Sequence, residues 1–252
     1  MVSAKDILIK PITAHTANAL VKKVHYSGKV VANSCLHFGA FLDGKLEGVM
    51  SFGSPMDKSK VLPLVKDTKW SDMLELNRMA FSDVLPKNSE SRALGVAFRL
   101  IKKHYPHIEW ILSFSDATQC GDGTIYRASG FVLTGLKKNG QIWESPNGER
   151  YSRTSLTDGR SKQVQAKARA TVGGGNFGGG ASMRPYIEAG WKPLEGYQLR
   201  YIYFLHKDAK QRLTTPILPF SEIEKTGAGM YKGVKVSREK QAMDVSNITA
   251  AG

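Results

Sequence analysis

The sequence predicts an α/β fold built on a mixed sheet. Three observations carry that prediction. Extended apolar runs alternate with amphipathic helical segments through the middle of the chain. Two extended runs near the start flank an Asp-Gly pair, the signature of a tight hairpin. No apolar run approaches the length needed to cross a bilayer. With 252 residues, 41% hydrophobic and 23% charged, a packed core is expected and global disorder is not.

The elements follow in order. "DILIKPI" is expected to be a first strand. "AHTANALVKKVHYSG" places Ala17, Leu20, Val21 and Val24 at helical spacing, with Gly28 available to end the helix. "LHFGAFLDGKLEGVMSFGSP" folds as a hairpin around Asp43-Gly44, where both turn residues need positive φ. "MLELNRMAF", Met73 to Phe81, is a fourth strand. Simple alternation puts Leu74, Leu76, Arg78 and Ala80 on one face and Glu75, Asn77 and Met79 on the other. "NSESRALGVAFRLIKKH" is a capped amphipathic helix with Leu94, Phe98 and Ile101 inward. Gly95 falls in its expected first turn, at a cost of up to about 1 kcal/mol relative to Ala. "IEWILSFSD" is a buried strand ending at Asp116, and "GDGTIYRASGF" a short helical turn closing on Gly130. "FVLTGLK" and "YQLRYIYFL", Tyr197 to Leu205, are the last clear strands.

One domain is expected over residues 1–220. A basic excursion at 137–196 carries the Gly-rich "GGGNFGGG", flexible by composition, and residues 221–252 form a loosely held extension. Nothing repeats internally. The N-terminus lacks the apolar core of a signal peptide, so a soluble intracellular protein without membrane contact is expected. Cys35 and Cys120 are expected to be thiols, since two cysteines make no disulfide framework. Thirty-six Lys and Arg against 22 Asp and Glu give a net charge of +14. That charge points to a polyanion partner, most simply nucleic acid; a basic enzyme with no such partner is the plainer alternative.

Several residues invite chemistry. Arg92-Ala93-Leu94-Gly95-Val96-Ala97 opens a helix, where N–H groups and the dipole favour phosphate; a plain core helix reads the same way. Asp116 sits at the carboxyl end of a strand, where ligands bind in open sheets. It can orient an amine or accept its proton, or simply cap the next turn. Tyr126 is either a proton donor or an amphipathic core residue. Arg78 needs a partner if buried: Glu75, Asp116, a phosphate or a carbonyl. His25 and Tyr26 end the first helix; they can relay a proton and stack on a base, or form an ordinary helix terminus. Lys162, Lys167 and Arg169 are the candidate nucleic-acid contacts in the basic excursion. The six histidines show no metal-binding spacing.

The order "LELNRMAF", loop-helix, "IEWILSFSD", "IYRASGF" resembles the GNAT acyltransferase superfamily. More closely, "HYSGK", "ELNRMAFSD", "NSESRALGVA", "SFSDATQCGDGTIYRASGFVLTG" and "QLRYIYFL" are similar to the Mom family of bacteriophage DNA-modification proteins, over nearly the whole chain to about Tyr231. The resemblance implies a GNAT-like, mostly antiparallel central sheet flanked by helices. It implies transfer of a carbamoylmethyl group to the exocyclic amine of adenine in DNA, shielding phage DNA from restriction in the cytoplasm of the bacterial host. It also implies that residues 92–97 hold a donor's phosphates and that Tyr126 is the general acid. The donor is acetyl-CoA or another activated donor such as glycyl-tRNA, and an iron ion is suggested with no support from spacing. An ordinary acyl-CoA-dependent N-acetyltransferase acting on a protein or small molecule is the competing reading, and a binding module without chemistry the third.

Overall fold

The computed structural model describes residues 2–25, 29–117, 122–157, 162–170, 182–225, 230–231 and 234–235. The chain divides into two compact units. The first takes residues 1–115, 123–135 and 200–220; the second takes 116–122, 136–199 and 221–252.

In the first unit, β1 (Leu8–Pro11) leads to α1 (Ala14–Val24), whose Thr13 cap accepts from the Thr16 amide. The hairpin of β2 (Ser34–Leu42) and β3 (Lys45–Gly53) turns at Asp43 and Gly44, with φ of 48° and 77°. Both turn residues adopt the left-handed backbone that the Asp-Gly pair predicts. A short helix, α2 (Lys58–Val61), precedes β4 (Met73–Phe81). Then come α3 (Ser89–His104), β5 (Trp110–Asp116), α4 (Thr124–Ala128) and β6 (Val132–Lys138).

The second unit contributes β7 (Ile142–Glu144), β8 (Arg150–Ser152), α5 (Arg153–Thr157), α6 (Lys162–Ala170), α7 (Arg184–Glu188) and β9 (Lys192–Pro193). β10 (Tyr197–Phe204) follows, and from Arg200 it belongs to the first unit, as does α8 (Lys207–Gln211). The large sheet runs β1-β2-β3-β4-β5-β10-β6. Its first three pairings are antiparallel and β4–β5 is parallel, so the sheet is mixed, as expected.

Helices cover both faces of the first unit's sheet. On one face, Ala17 and Val21 of α1 pack on Val49 and Ala80. Further along that face, Met73, Trp110, Leu112 and Ile202 pack with Val61, Leu64 and Ala209. On the other, an aromatic file runs from Phe38 through Phe52 to Phe98 of α3, then to Phe131 and Tyr203. Burying rings of this size supplies much of the apolar driving force.

The excursion at 137–196, expected as a basic Gly-rich insertion, is a folded element over its described residues. β8, β7 and β9 form a small sheet, and Trp143, Leu156, Ala168, Met183, Tyr186 and Trp191 make its core. Two tryptophans and a tyrosine give a short segment enough apolar area to fold. The "GGGNFGGG" stretch and the expected C-terminal extension beyond residue 235 lie outside the described residues.

Candidate active site

β4 does not alternate simply. Ser51 of β3 faces Arg78, but the next residue, Phe52, faces Leu76, so Asn77 is an extra residue in a β-bulge. The bulge shifts the side-chain phase by one. Arg78 therefore joins Glu75, not Leu74 and Leu76, correcting the face assigned by alternation. The parallel pairing of β4 with β5 also covers only Met73–Trp110, Leu74–Ile111 and Glu75–Leu112. Glu75 is thus the last residue of β4 paired to β5, at the point where the bulge begins.

Around this point the structure gathers a polar cluster on the α1 face. Asn77, almost fully buried, accepts from the Ser34 hydroxyl at 3.0 Å and hydrogen-bonds the Glu75 carboxylate. Gly53, opposite Glu75, is required here. A Cβ would run into the Asn33 carbonyl and lie 2.7 Å from Asn77 Oδ1. Burial pushes the Glu75 carboxyl up to about 7, against the smaller opposing pull of Asn77 and Arg78. His25, the C-cap of α1, is driven down to about 4 by burial and then by the Arg78 charge. Near neutral pH, Glu75 is therefore poised between its two protonation states while the His25 imidazole is neutral. Arg78 donates from Nε to the Lys29 carbonyl at 2.9 Å and from Nη1 to the Asn77 carbonyl at 3.0 Å. Of the partners expected for it, carbonyls are found by hydrogen bond and Glu75 as a neighbouring charge.

The other expected residues are placed as follows. Tyr126 lies in the short helix α4, as expected, with its ring against Tyr201 and Phe131 at 5.2 and 5.3 Å, on the α3 side of the sheet. Gly123 permits this: at φ 69° it packs on the Tyr201 ring, which a Cβ would approach to 2.6 Å. Asp116 ends β5, half-buried, within the second unit. Tyr26 lies outside the described residues.

α3 begins at Ser89, three residues earlier than the Arg92 motif, so Gly95 falls in its second turn rather than its first. Ala93, Leu94 and Ala97 are fully buried core residues, and only Arg92, Gly95 and Val96 are partly exposed. Arg92 Nη2 donates to the Lys5 carbonyl at 3.1 Å, and its Nε has no partner. A Cβ on Gly95 would meet nothing within 4 Å. Asn88, at the cap position with φ 69°, makes no side-chain cap, and the Ser89 amide at the helix start donates to the Pro86 carbonyl at 3.2 Å. In the second unit, Lys167 pairs with Glu149 at 3.2 Å and Arg169 is half-buried; the Lys162 side chain lies outside the described residues.

Among the described residues, no three His, Cys, Asp or Glu side chains gather to hold a metal ion. No described helix is long and apolar enough to cross a membrane.

Sequence reasoning missed Glu75 and Asn77 as site residues. The signal was there: an acid, an amide and a guanidinium within four residues of an apolar strand is costly unless they partner one another.

The candidate site is a buried acid beside a carbonyl-anchored arginine on a mixed α/β sheet. The chain belongs to the Mom protein family, whose profile matches residues 6–222. It is 32% identical over 218 residues to the methylcarbamoylase Mom of Escherichia phage Mu, covering 85% of this chain and 82% of the Mu protein. Solved structures with a similar strand arrangement include the ribosomal-protein-S18-alanine N-acetyltransferase of Escherichia coli, at 8% identity and a TM-score of 0.43, over 79% of this chain and 94% of that one. Another is a GNAT family acetyltransferase from Elizabethkingia anophelis with acetyl-CoA bound, at 16% identity and 0.37, over 53% and 81%. Likeness at this level transfers no residue roles.

Proposed function

We propose that this chain is a DNA-modifying transferase that places a carbamoylmethyl group on the exocyclic amine of adenine. The observation that carries the reading is membership of the Mom family over residues 6–222, with a relative named as a methylcarbamoylase. The site chemistry supports it. An adenine amine is a weak nucleophile, because its lone pair is delocalised into the ring. A base that accepts its proton near neutral pH lowers the barrier. Glu75, held up at about 7 by burial, suits that task. As the amine nitrogen bonds to the donor carbon, the bond from that carbon to the leaving group breaks. One N–H proton passes to Glu75, and the leaving group departs as its anion and takes a proton from solvent. Arg78, anchored by two carbonyls, holds positive charge beside Glu75 and favours its ionised form. His25 stays neutral and can accept a hydrogen bond.

The target base must leave the helix or already be single-stranded, since the amine is otherwise out of reach. The net charge of +14 suits the backbone that must be held while this happens. The donor brings phosphates, whether as acetyl-CoA or as glycyl-tRNA. Arg92 and the open side of Gly95 are the groups that would border them. When bound, the donor supplies the group to be transferred; glycyl-tRNA contains the atoms of a carbamoylmethyl group, whereas an acetyl group lacks the nitrogen, but direct attack at the glycyl carbonyl gives the aminoacetyl isomer, whose two nitrogens must then exchange places to give the carbamoylmethyl product.

The test is mass spectrometry of nucleosides from plasmid DNA co-expressed with the soluble protein. A mass-shifted deoxyadenosine that disappears in Glu75→Gln is expected. Unmodified adenine with wild-type protein would sink the proposal.

A further inference from the structure

The first unit carries a second concave site that the transfer reaction leaves unused. It is a groove of about 630 Å³ lined by Gly130, Val132, Phe204, Lys207, Lys210 and Gln211. Its floor is apolar: Val132 and Phe204 are half-buried and pack at the edge of the Ile202–Trp110 core. One side is cationic. Lys207 and Lys210 lie three residues apart on α8, so they project from the same helix face, and both are exposed. The acid between them, Asp208, is drawn to Arg212 at 3.4 Å, and Arg212 also pairs with Glu109. The lysine charges are therefore not neutralised from within α8.

A third cation stands on the same strand. Arg200 and Phe204 share a face of β10, because side chains alternate with a period of two. The Arg200 guanidinium donates from Nε to Thr134 Oγ1 at 3.1 Å and from Nη2 to the Thr134 carbonyl at 2.7 Å. It lies over Gly135, where a Cβ would come within 3.2 Å of it. It is partly buried, and its partners among the described residues are neutral oxygens rather than a carboxylate. A fixed cation without a counter-charge leaves room for an anion. Four residues of strand separate Arg200 from Phe204, about 13 Å. An apolar and aromatic floor flanked by cations along such a strip matches a chain of bases and phosphates. Bases stack on aromatic and apolar faces, and phosphates pair with Lys and Arg.

We infer that this groove binds a single-stranded stretch of nucleic acid outside the reaction site, with bases over Val132 and Phe204 and phosphates on Lys207, Lys210 and Arg200. The identity of the strand as DNA rests on the function proposed above. A duplex is disfavoured, because its bases are stacked inward and would leave the apolar floor uncovered. The groove floor packs on the same sheet face as Met73 of β4 and, by alternation, Glu75. A strand opened to expose its adenine would therefore find both sites on one side of the sheet.

The test uses the full chain and fluorescence anisotropy with a labelled 12-nucleotide single strand, titrated across KCl concentrations. Lys207→Glu combined with Lys210→Glu changes two exposed side chains and is expected to weaken binding at least tenfold and flatten the salt slope by about 1.4, at roughly 0.7 per phosphate contact. Phe204→Leu is expected to weaken it several-fold with the slope unchanged; circular dichroism confirms that this half-buried variant is folded. Unchanged affinity and slope in the double lysine variant would overturn the inference. So would equal competition by free deoxyadenosine monophosphate at matched molarity, which would make the groove a mononucleotide pocket. So would an equal lysine-dependent loss on blunt duplex DNA. Adenine modification of plasmid is read separately. Lysine-dependent strand binding without modification leaves the groove standing and removes the transferase reading. Modification with lysine-independent binding does the reverse.

Discussion

At the scale of single residues, two opposed titrations define the site. Glu75 binds its proton more tightly folded than unfolded, so it costs stability as pH rises from its ordinary 4.5 to about 7. His25 behaves in the opposite sense. Its folded value of about 4 lies below the ordinary 6.5, so stability is lost as pH falls through that window. Between roughly pH 4.5 and 6.5 the two slopes oppose each other. Wild-type melting temperature is expected to vary little there on account of these groups. Glu75→Gln unmasks the His25 slope, so its melting temperature should rise with pH across that range. His25→Asn unmasks Glu75, so its melting temperature should fall. Thermal melts of the three proteins at half-unit pH steps check this; parallel curves would refute the assignment. The same carboxyl sets the expected activity profile. Turnover should climb as Glu75 ionises near pH 7, and Glu75→Gln should lower it about 100-fold or more, the ordinary contribution of a general base.

At the scale of elements, the strands and helices were legible wherever local chemistry decided them. Asp43-Gly44 demanded its hairpin turn, and Leu94, Phe98 and Ile101 fixed the inward face of α3. Two things escaped. The bulge at Asn77 is set by cross-strand register with β3, which alternation within β4 cannot reveal, and it brought Arg78 and Glu75 to one face. The second unit's fold rests on contacts between Trp143, Tyr186 and Trp191, far apart in sequence, so composition made it resemble a loop. Of the site, Arg78 and His25 were readable as residue types that need partners. Glu75 was not, because its chemistry comes from burial. The helix glycine that looked anomalous now yields a prediction. Gly95 sits in the second turn with open space beside it. Gly95→Ala should therefore stabilise the fold, by up to about 1 kcal/mol from helix propensity. If donor phosphates lie along this turn, the same methyl should raise the KM for the donor with little change in kcat. A raised melting temperature with unchanged KM would keep the helix and remove the phosphate from it.

At the scale of the whole molecule, the count of 36 Lys and Arg overstates the cations available to a partner. In the second unit, Arg150 donates to Glu144 at 2.9 Å, Arg184 to Glu188 at 2.7 Å and Lys167 to Glu149 at 3.2 Å. Glu149 also accepts from the Tyr151 hydroxyl at 2.8 Å, so the Lys167 pair ties α6 to β8. Such exposed pairs are worth only about 0–1 kcal/mol, and a phosphate can compete for the lysine. The competition leaves Glu149 behind as an uncompensated acid, which repels the same phosphate. Charge-neutralising Lys162, Lys167 and Arg169 together should therefore weaken duplex binding by less than three full phosphate contacts. At roughly 0.9 per contact, the salt slope is expected to fall by about 1 to 2 rather than about 2.7. Lys167→Ala alone should change the slope least of the three single variants. Glu149→Gln should do the reverse of a charge removal and tighten binding, because it frees Lys167 without adding an acid. Affinity measured against KCl concentration for these five variants tests the argument. If the triple variant keeps both the affinity and the slope of wild type, the basic segment does not contact DNA.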